Sequence, residues 1–186
     1  MKKPISELAT LSTGLYLQPS QAADILYLQA RHFDDEGTFD FRVEPEVTLD
    51  ARQSKHLLLP GDVLFASKGH SRFAVLYQPS MGKAVASSVF LVIRLTSHSQ
   101  VLPAFLVWYL NHPATQANLK SHERTATVPS LTLQDIAKLE IQVPTLAKQS
   151  AVVQVDALRR RETDLRGELQ KQRDHLIQNT LLQAIR

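Results

Sequence analysis

Over residues 24–95 the apolar residues come in short runs rich in Val, Ile, Phe and Tyr, divided by Gly, Pro and polar clusters, which is the rhythm of strands and turns. Residues 24–33 (DILYLQARHF) predict a strand, a turn at Gly37 follows, and residues 39–49 (FDFRVEPEVTL) predict a second extended stretch. Pro60 and Gly61 turn the chain into residues 62–67 (DVLFAS), a strand, and a polar loop at 68–72 (KGHSR) leads to another at 73–77 (FAVLY). After a turn at 79–83 (PSMGK), residues 85–95 (VASSVFLVIRL) have the highest β-branched content in the chain and predict its best strand. The spacing then becomes helical over 102–113 (LPAFLVWYLNHP), which stops at Pro113, and over 114–122 (ATQANLKSH). Trp108 and Tyr109 are expected in the core, where helical aromatic residues bury most area.

The last third changes character. Thr132 and Asp135 have capping-box spacing, so a short helix should run from there through Lys138, followed by a brief strand at 139–143 (LEIQV). Pro144 breaks the chain, and Thr145 can cap a helix that starts near Leu146 and continues to the end without another proline. Val155, Leu158, Leu165, Leu169 and Leu176 fall on heptad a and d positions, with Glu162 and Gln172 filling the seam between them. Beyond Gly167 the register loosens, and Ile177, Leu181 and Ile185 recur in steps of four, a wider stripe that a bundle of more than two helices could cover. Forty residues at about 1.5 Å each make a rod of about 60 Å, longer than this domain needs for its own core, although a helix folded back on its domain is the alternative. The fold class is α+β: a mixed globular domain over residues 1–144, then one long helix of coiled-coil type over 145–186.

Composition narrows the setting. The 186 residues, 44% hydrophobic, support one ordinary domain with an appendage. With no cysteine, neither disulfides nor thiolate chemistry is available, and a reducing cytoplasm is the expected location. The two N-terminal lysines precede no sustained apolar run, so no signal peptide is predicted. The longest apolar run, 101–110, holds Pro103 and is half the length of a bilayer span, so no membrane partner is expected.

The net charge of +3 hides a segregation. Acidic residues cluster between Asp34 and Asp50, whereas residues 63–122 contain none and carry Lys68, Arg72, Lys83, Arg94 and Lys120. A polyanion could lie along such a stretch without meeting a like charge. The competing explanation is that this stretch is apolar core, where carboxylates are scarce.

Chemistry finds little purchase. The seven histidines have no metal-ligand spacing, and the six glycines form neither a phosphate loop nor a dinucleotide fingerprint. Asp62 and Lys68 suggest a metal-dependent nuclease but lack the second carboxylate, and Ser87 and Ser88 have no elbow glycines. No catalytic residue, metal or cofactor is assigned. Sequence-specific DNA contact asks instead for cations to meet phosphates and forked or amide groups to meet base edges. The candidates are Lys68, His70, Ser71 and Arg72 in one loop, Lys83 in the next turn, and Lys120, Arg124, Thr125 and Thr127, with His122, before Val128. Arg159, Arg160 and Arg161 lie on the outer flank of the long helix, solvated or turned toward phosphates or a protein partner.

A globular segment, a short capped helix, a strand, a P-x-L-x-x-Q turn (Pro144, Leu146, Gln149) and a long amphipathic helix resemble the specificity subunit of type I restriction-modification systems. The likeness is strongest at residues 59–65 (LPGDVLF), 86–93 (ASSVFLVI), 102–113 and 128–149. The family's turn usually carries Glu before the Gln, where this chain has Lys148, and its full-length members carry the domain-plus-helix unit twice, where this chain carries it once.

The resemblance implies a half-size, non-catalytic module that binds a DNA half-site through its target-recognition domain. Its helix would dock the DNA methyltransferase (modification) subunit, with the restriction or translocase subunit as a further partner; methyl donor, ATP and magnesium would belong to those subunits. One exposed seam per chain predicts an antiparallel homodimer, hence an interrupted palindromic target in double-stranded DNA. The rivals are an anti-restriction or assembly adaptor that uses the helix but reads no DNA, and a scaffold unrelated to restriction.

Overall fold

The computed structural model describes residues 2–34, 37–69, 72–121 and 130–185. Its frame is a four-stranded antiparallel sheet in the order β2 (Ala9–Thr13), β7 (Phe90–Leu95), β4 (Val63–Ala66) and β5 (Ala74–Leu76). Side chains alternate across a strand, so β4 sends Val63 and Phe65 to one face and Leu64 and Ala66 to the other; all four are buried. At β4 both faces are therefore covered, which is why that strand reads as a continuous apolar run, whereas the edge strand β2 (ATLST) is largely exposed.

On the first face lie four short helices: α1 (Ile5–Leu8), α2 (Pro103–Asn111), α3 (Pro113–Ser121) and α4 (Leu133–Ala137). Phe105, Leu106, Leu110, Leu119 and Ile136 point into this layer. The second face is covered by the parallel pair β3 (Leu26–Leu28) and β6 (Ala84–Ala86) and by a cluster of Phe33, Phe39, Phe73 and Phe90, whose rings meet mostly tilted or edge-on, with centroids 5.5–6.0 Å apart. A third pair joins β1 (Lys2–Pro4) to β8 (Glu140–Gln142), antiparallel.

Several expected elements come out shorter. The strand expected over 24–33 stops at Leu28, because His32 N–H donates to the Gln29 carbonyl at 3.0 Å and closes a 3-10 turn over Ala30–His32. Residues 39–49 make only isolated bridges, Phe33 to Phe39 and Ile25 to Val47; Asp40 instead holds Arg42 in a local turn. The run at 85–95 is two strands. Phe90 N–H donates to Ser87 O at 2.9 Å, and that turn moves the chain from the β3 pair into the main sheet. Gly14 packs against this corner, where a Cβ would lie 2.1 Å from the Ser87 carbonyl, so no other residue fits. Gly61, at φ +91°, makes the turn expected before β4.

The capping box before α4 is formed: Asp135 N–H donates to Thr132 Oγ1 at 3.2 Å and Thr132 N–H to Asp135 Oδ2 at 2.7 Å. The long helix α5 spans Leu146–Ala184. Thr145 sits at its N-cap position, but its side chain makes no capping hydrogen bond. Only the root of α5 packs on the domain, through Gln149, Val152 and Val153; from residue 161 onward every described residue is exposed.

Candidate nucleic-acid interface and helix root

The hairpin loop between β4 and β5 carries Lys68 and Arg72 on its two sides; His70 and Ser71 lie outside the described residues. Lys68 is exposed and pairs through its backbone with Ser130, so the loop meets the chain just where it leaves residues 122–129. Arg124, Thr125 and Thr127 belong to that segment, also outside the described residues, and exposed Lys120 stands near the end of α3 before it.

Arg72 turns the other way. It lines a cleft of about 250 Å³ with Phe73, Asn111, Arg159, Arg160 and Asp164, so three arginines border one opening between domain and helix. Burial lowers the Arg72 pKa from its ordinary value. The next residues are fixed by Asn111, whose amide copies a neighbouring strand: Ala74 N–H donates to Asn111 Oδ1 at 2.7 Å and Asn111 Nδ2 to Ala74 O at 2.8 Å. On the helix side Asp156 accepts from both Arg159 (3.2 Å) and Arg160 (2.8 Å) and holds them along α5 beside the cleft.

Lys83 is not brought to this cleft; its Nζ lies 3.3 Å from Asp24 Oδ2 beside the β3 pair. Arg94 has a structural task. Its Nε and guanidinium nitrogen donate to the two oxygens of Asp62, each at 2.7 Å, and Asp62, 1% exposed, also accepts from Leu59 N–H. This hydrogen bond raises the Arg94 pKa. Asp62 is thereby committed to Arg94, which removes it from any nuclease arrangement with Lys68. Much of the acid-free stretch is core, since it supplies β4 to β7 and α2. Its composition records burial as much as charge.

Two features go beyond what the sequence pattern shows. Gln149, fully buried, uses its whole amide: Leu102 N–H donates to Oε1 at 2.8 Å, while Nε2 donates to Gln100 O and Pro144 O, each at 2.9 Å. The P-x-L-x-x-Q turn thus fastens helix to domain, and the side chain of Lys148, one residue earlier, takes no part in it. Trp108 is half-buried rather than in the core; it stacks on Phe105 at 5.4 Å and borders a groove of about 650 Å³ with Pro113, Ala151, Val152 and Val155. Tyr109, also half-buried, donates its hydroxyl to Glu140 O at 2.8 Å.

Among the described residues no three His, Asp or Glu side chains converge as metal ligands, and no helix is long and apolar enough to cross a membrane. The groups on offer here are cations, amides and an apolar seam that is exposed along α5.

Solved structures share this architecture. The chain is similar to the HsdS subunit of Thermoanaerobacter tengcongensis, with a TM-score of 0.64 at 22% identity over 89% of this chain and 43% of that one. It is similar as well to the type I restriction-modification S subunit of M. genitalium, with a TM-score of 0.59 at 14% identity over 85% of this chain and 38% of that one. A third likeness, at TM-score 0.55 and 19% identity over 92% of this chain and 43% of the other, is to a chain from a structural study of complex assembly and conformational transition of the type I R-M system. The chain thus spans well under half the length of the solved chains it matches. No curated protein sequence matches it significantly. Residues 43–171, well over half of the chain, match the family described as type I restriction modification DNA specificity domain, and the chain belongs to that family.

Proposed function

We propose that this chain is a non-catalytic specificity module that reads a DNA half-site with residues 1–144 and uses the helix over 145–186 to pair with a second copy and to dock a methyltransferase subunit, in the cytoplasm. The observation that carries the reading is the pairing of the specificity-domain match with a helix whose seam, from Leu165 at 47% exposed to Leu158 at 70%, has no partner among the described residues. Lys68, His70, Ser71, Arg72, Lys83, Lys120, Arg124, Thr125 and Thr127 are the candidate contacts, with Arg72 first for a base edge because a guanidinium forks onto guanine.

A two-fold pair of identical domains meets two identical half-sites in inverted orientation, so the target is an interrupted palindrome. Rods of about 60 Å set the half-site centres between about one and two duplex turns apart, at about 3.4 Å per base pair. The test is titration of the purified protein onto random and genomic duplexes, with and without a methyltransferase subunit, followed by methylation mapping. A spaced palindrome of fixed spacing is expected. Absence of any sequence preference would favour the adaptor reading, in which the same helix assembles proteins and reads no DNA.

A further inference from the structure

We infer that the groove at the root of α5 is the seat of the far end of α5 from a second copy, in one antiparallel register whose two-fold axis passes at the level of Gly167. The inference rests on the homodimer reading and adds its register and a second contact.

The register follows from matching the seam to itself. In an antiparallel pair each a position meets a d position of the other helix. With the axis at Gly167, Leu165 meets Leu169, Leu158 meets Leu176, and Glu162 meets Gln172, whose amide can donate to the carboxylate. Apolar layers then face apolar layers and the two polar layers face each other; the outer layers, Val155 on Asn179 and Ala151 on Gln183, are mixed. A slide of one heptad in one direction sets Glu162 against Leu165 and Val155 against Gln172. In the other direction Leu169 faces Gln172 and Glu162 faces Asn179. A carboxylate set against leucine keeps only its own Arg166, at 2.7 Å along the same helix, and gains no partner across the seam. The chosen register does bring Arg166 and Glu168 each near its own counterpart on the two flanks, but those contacts are exposed and weak.

The same register brings Ile177 and Leu181 of one copy level with residues 157 and 153 of the other, beside the groove bordered by Trp108, Pro113, Ala151, Val152 and Val155. The stripe of Ile177, Leu181 and Ile185, 54%, 56% and 81% exposed, lies on the flank of α5 that Val152, Asp156 and Arg159 occupy about seven turns earlier, the flank on which the domain sits. In an antiparallel pair these flanks share one side. The widening of the apolar stripe past Gly167 is thereby explained by the second copy's domain, with no third helix.

The chain has no cysteine and one tryptophan, so both contacts can be read cleanly. Single-cysteine variants Glu168→Cys, Arg161→Cys and His175→Cys are treated with a short bis-maleimide. Glu168→Cys should link to itself, and Arg161→Cys should link to His175→Cys only when the two are mixed. Linking of Glu168→Cys to His175→Cys or Arg161→Cys instead would overturn the register while leaving the dimer standing; a monomer by light scattering would remove both. Trp108 emission in the paired Ile177→Ser, Leu181→Ser variant should shift to the red relative to the parent dimer. Unchanged emission in a variant that is still dimeric would overturn the seating of the stripe.

Discussion

The backbone N–H of Leu102 donates to Gln149 Oε1 at 2.8 Å across 47 positions of sequence, and this one amide sets where the long helix leaves the domain. Gln149→Ala would strand the Leu102 donor and two carbonyls in a partly buried site. About 2–3 kcal/mol of stability should be lost, at about 1–3 kcal/mol for groups left unsatisfied. Urea unfolding of the two proteins measures it; an unchanged midpoint would show that water replaces the amide without cost.

Asp62 and Arg94 should respond unequally to mutation. Asp62 is 1% exposed whereas the Arg94 side chain is 39% exposed, so losing the arginine leaves a buried charge and losing the acid leaves a cation that still reaches solvent. Arg94→Met should cost about 3–5 kcal/mol and Asp62→Asn clearly less, with the double variant recovering part of the loss. Equal costs in a double-mutant cycle would contradict the asymmetry.

Replacing Leu165 and Leu169 by Asp places charge in the seam and none in the core, since α5 is exposed there. A folded monomer is expected, read by light scattering together with an unchanged unfolding midpoint of the domain. A dimer surviving both substitutions would mean that the seam is not the interface.

Neutralising Lys68, Arg72, Lys83, Lys120 and Arg124 singly should weaken DNA binding, and removing a cation that faces a phosphate should lower the salt slope by about one. Lys83 already faces Asp24, so its effect should be the smallest of the five. Identical affinity across all five variants would point to the adaptor reading.

His32 is buried, and desolvation, helped by Arg31 and opposed by Glu46 and Asp40, holds its pKa below the ordinary 6.5. A histidine that resists protonation when folded contributes stability that is complete above its unfolded pKa and is lost as pH falls below it. The parent should therefore lose more stability than His32→Gln between about pH 7.5 and about pH 5, a window that spans the ordinary histidine pKa. Parallel pH profiles from thermal melts would exclude a role for His32.

Sequence patterning reaches the elements whose signals are local. The Thr132–Asp135 box, the Pro60–Gly61 turn and the start of α5 at Leu146 each depend on residues a few positions apart. It overruns wherever tertiary pairing decides an element's end: 85–95 reads as one strand, but only the packing of Gly14 on Ser87 reveals the corner between two sheets. Gln149 carries a signal in its motif and none for its three bonds, whose partners lie up to 49 positions away. The gathering of Arg72 with Arg159 and Arg160 is equally out of reach, since it joins residues 87 positions apart and more.

The pairing of β1 with β8 places residues 2–4 in the base from which α5 projects. Lys2–Pro4 is zipped to Glu140–Gln142, three residues ahead of the helix's first turn. A helix of 39 residues is a lever about 58 Å long, and a tilt of about 5° at its base swings the tip by about 5 Å, more than the roughly 3.4 Å between base pairs. Stiffness at this short ribbon is thus amplified along the whole arm. In the proposed dimer, loosening three N-terminal residues would leave the four-stranded sheet intact and blur the distance between the two domains by a full base-pair step.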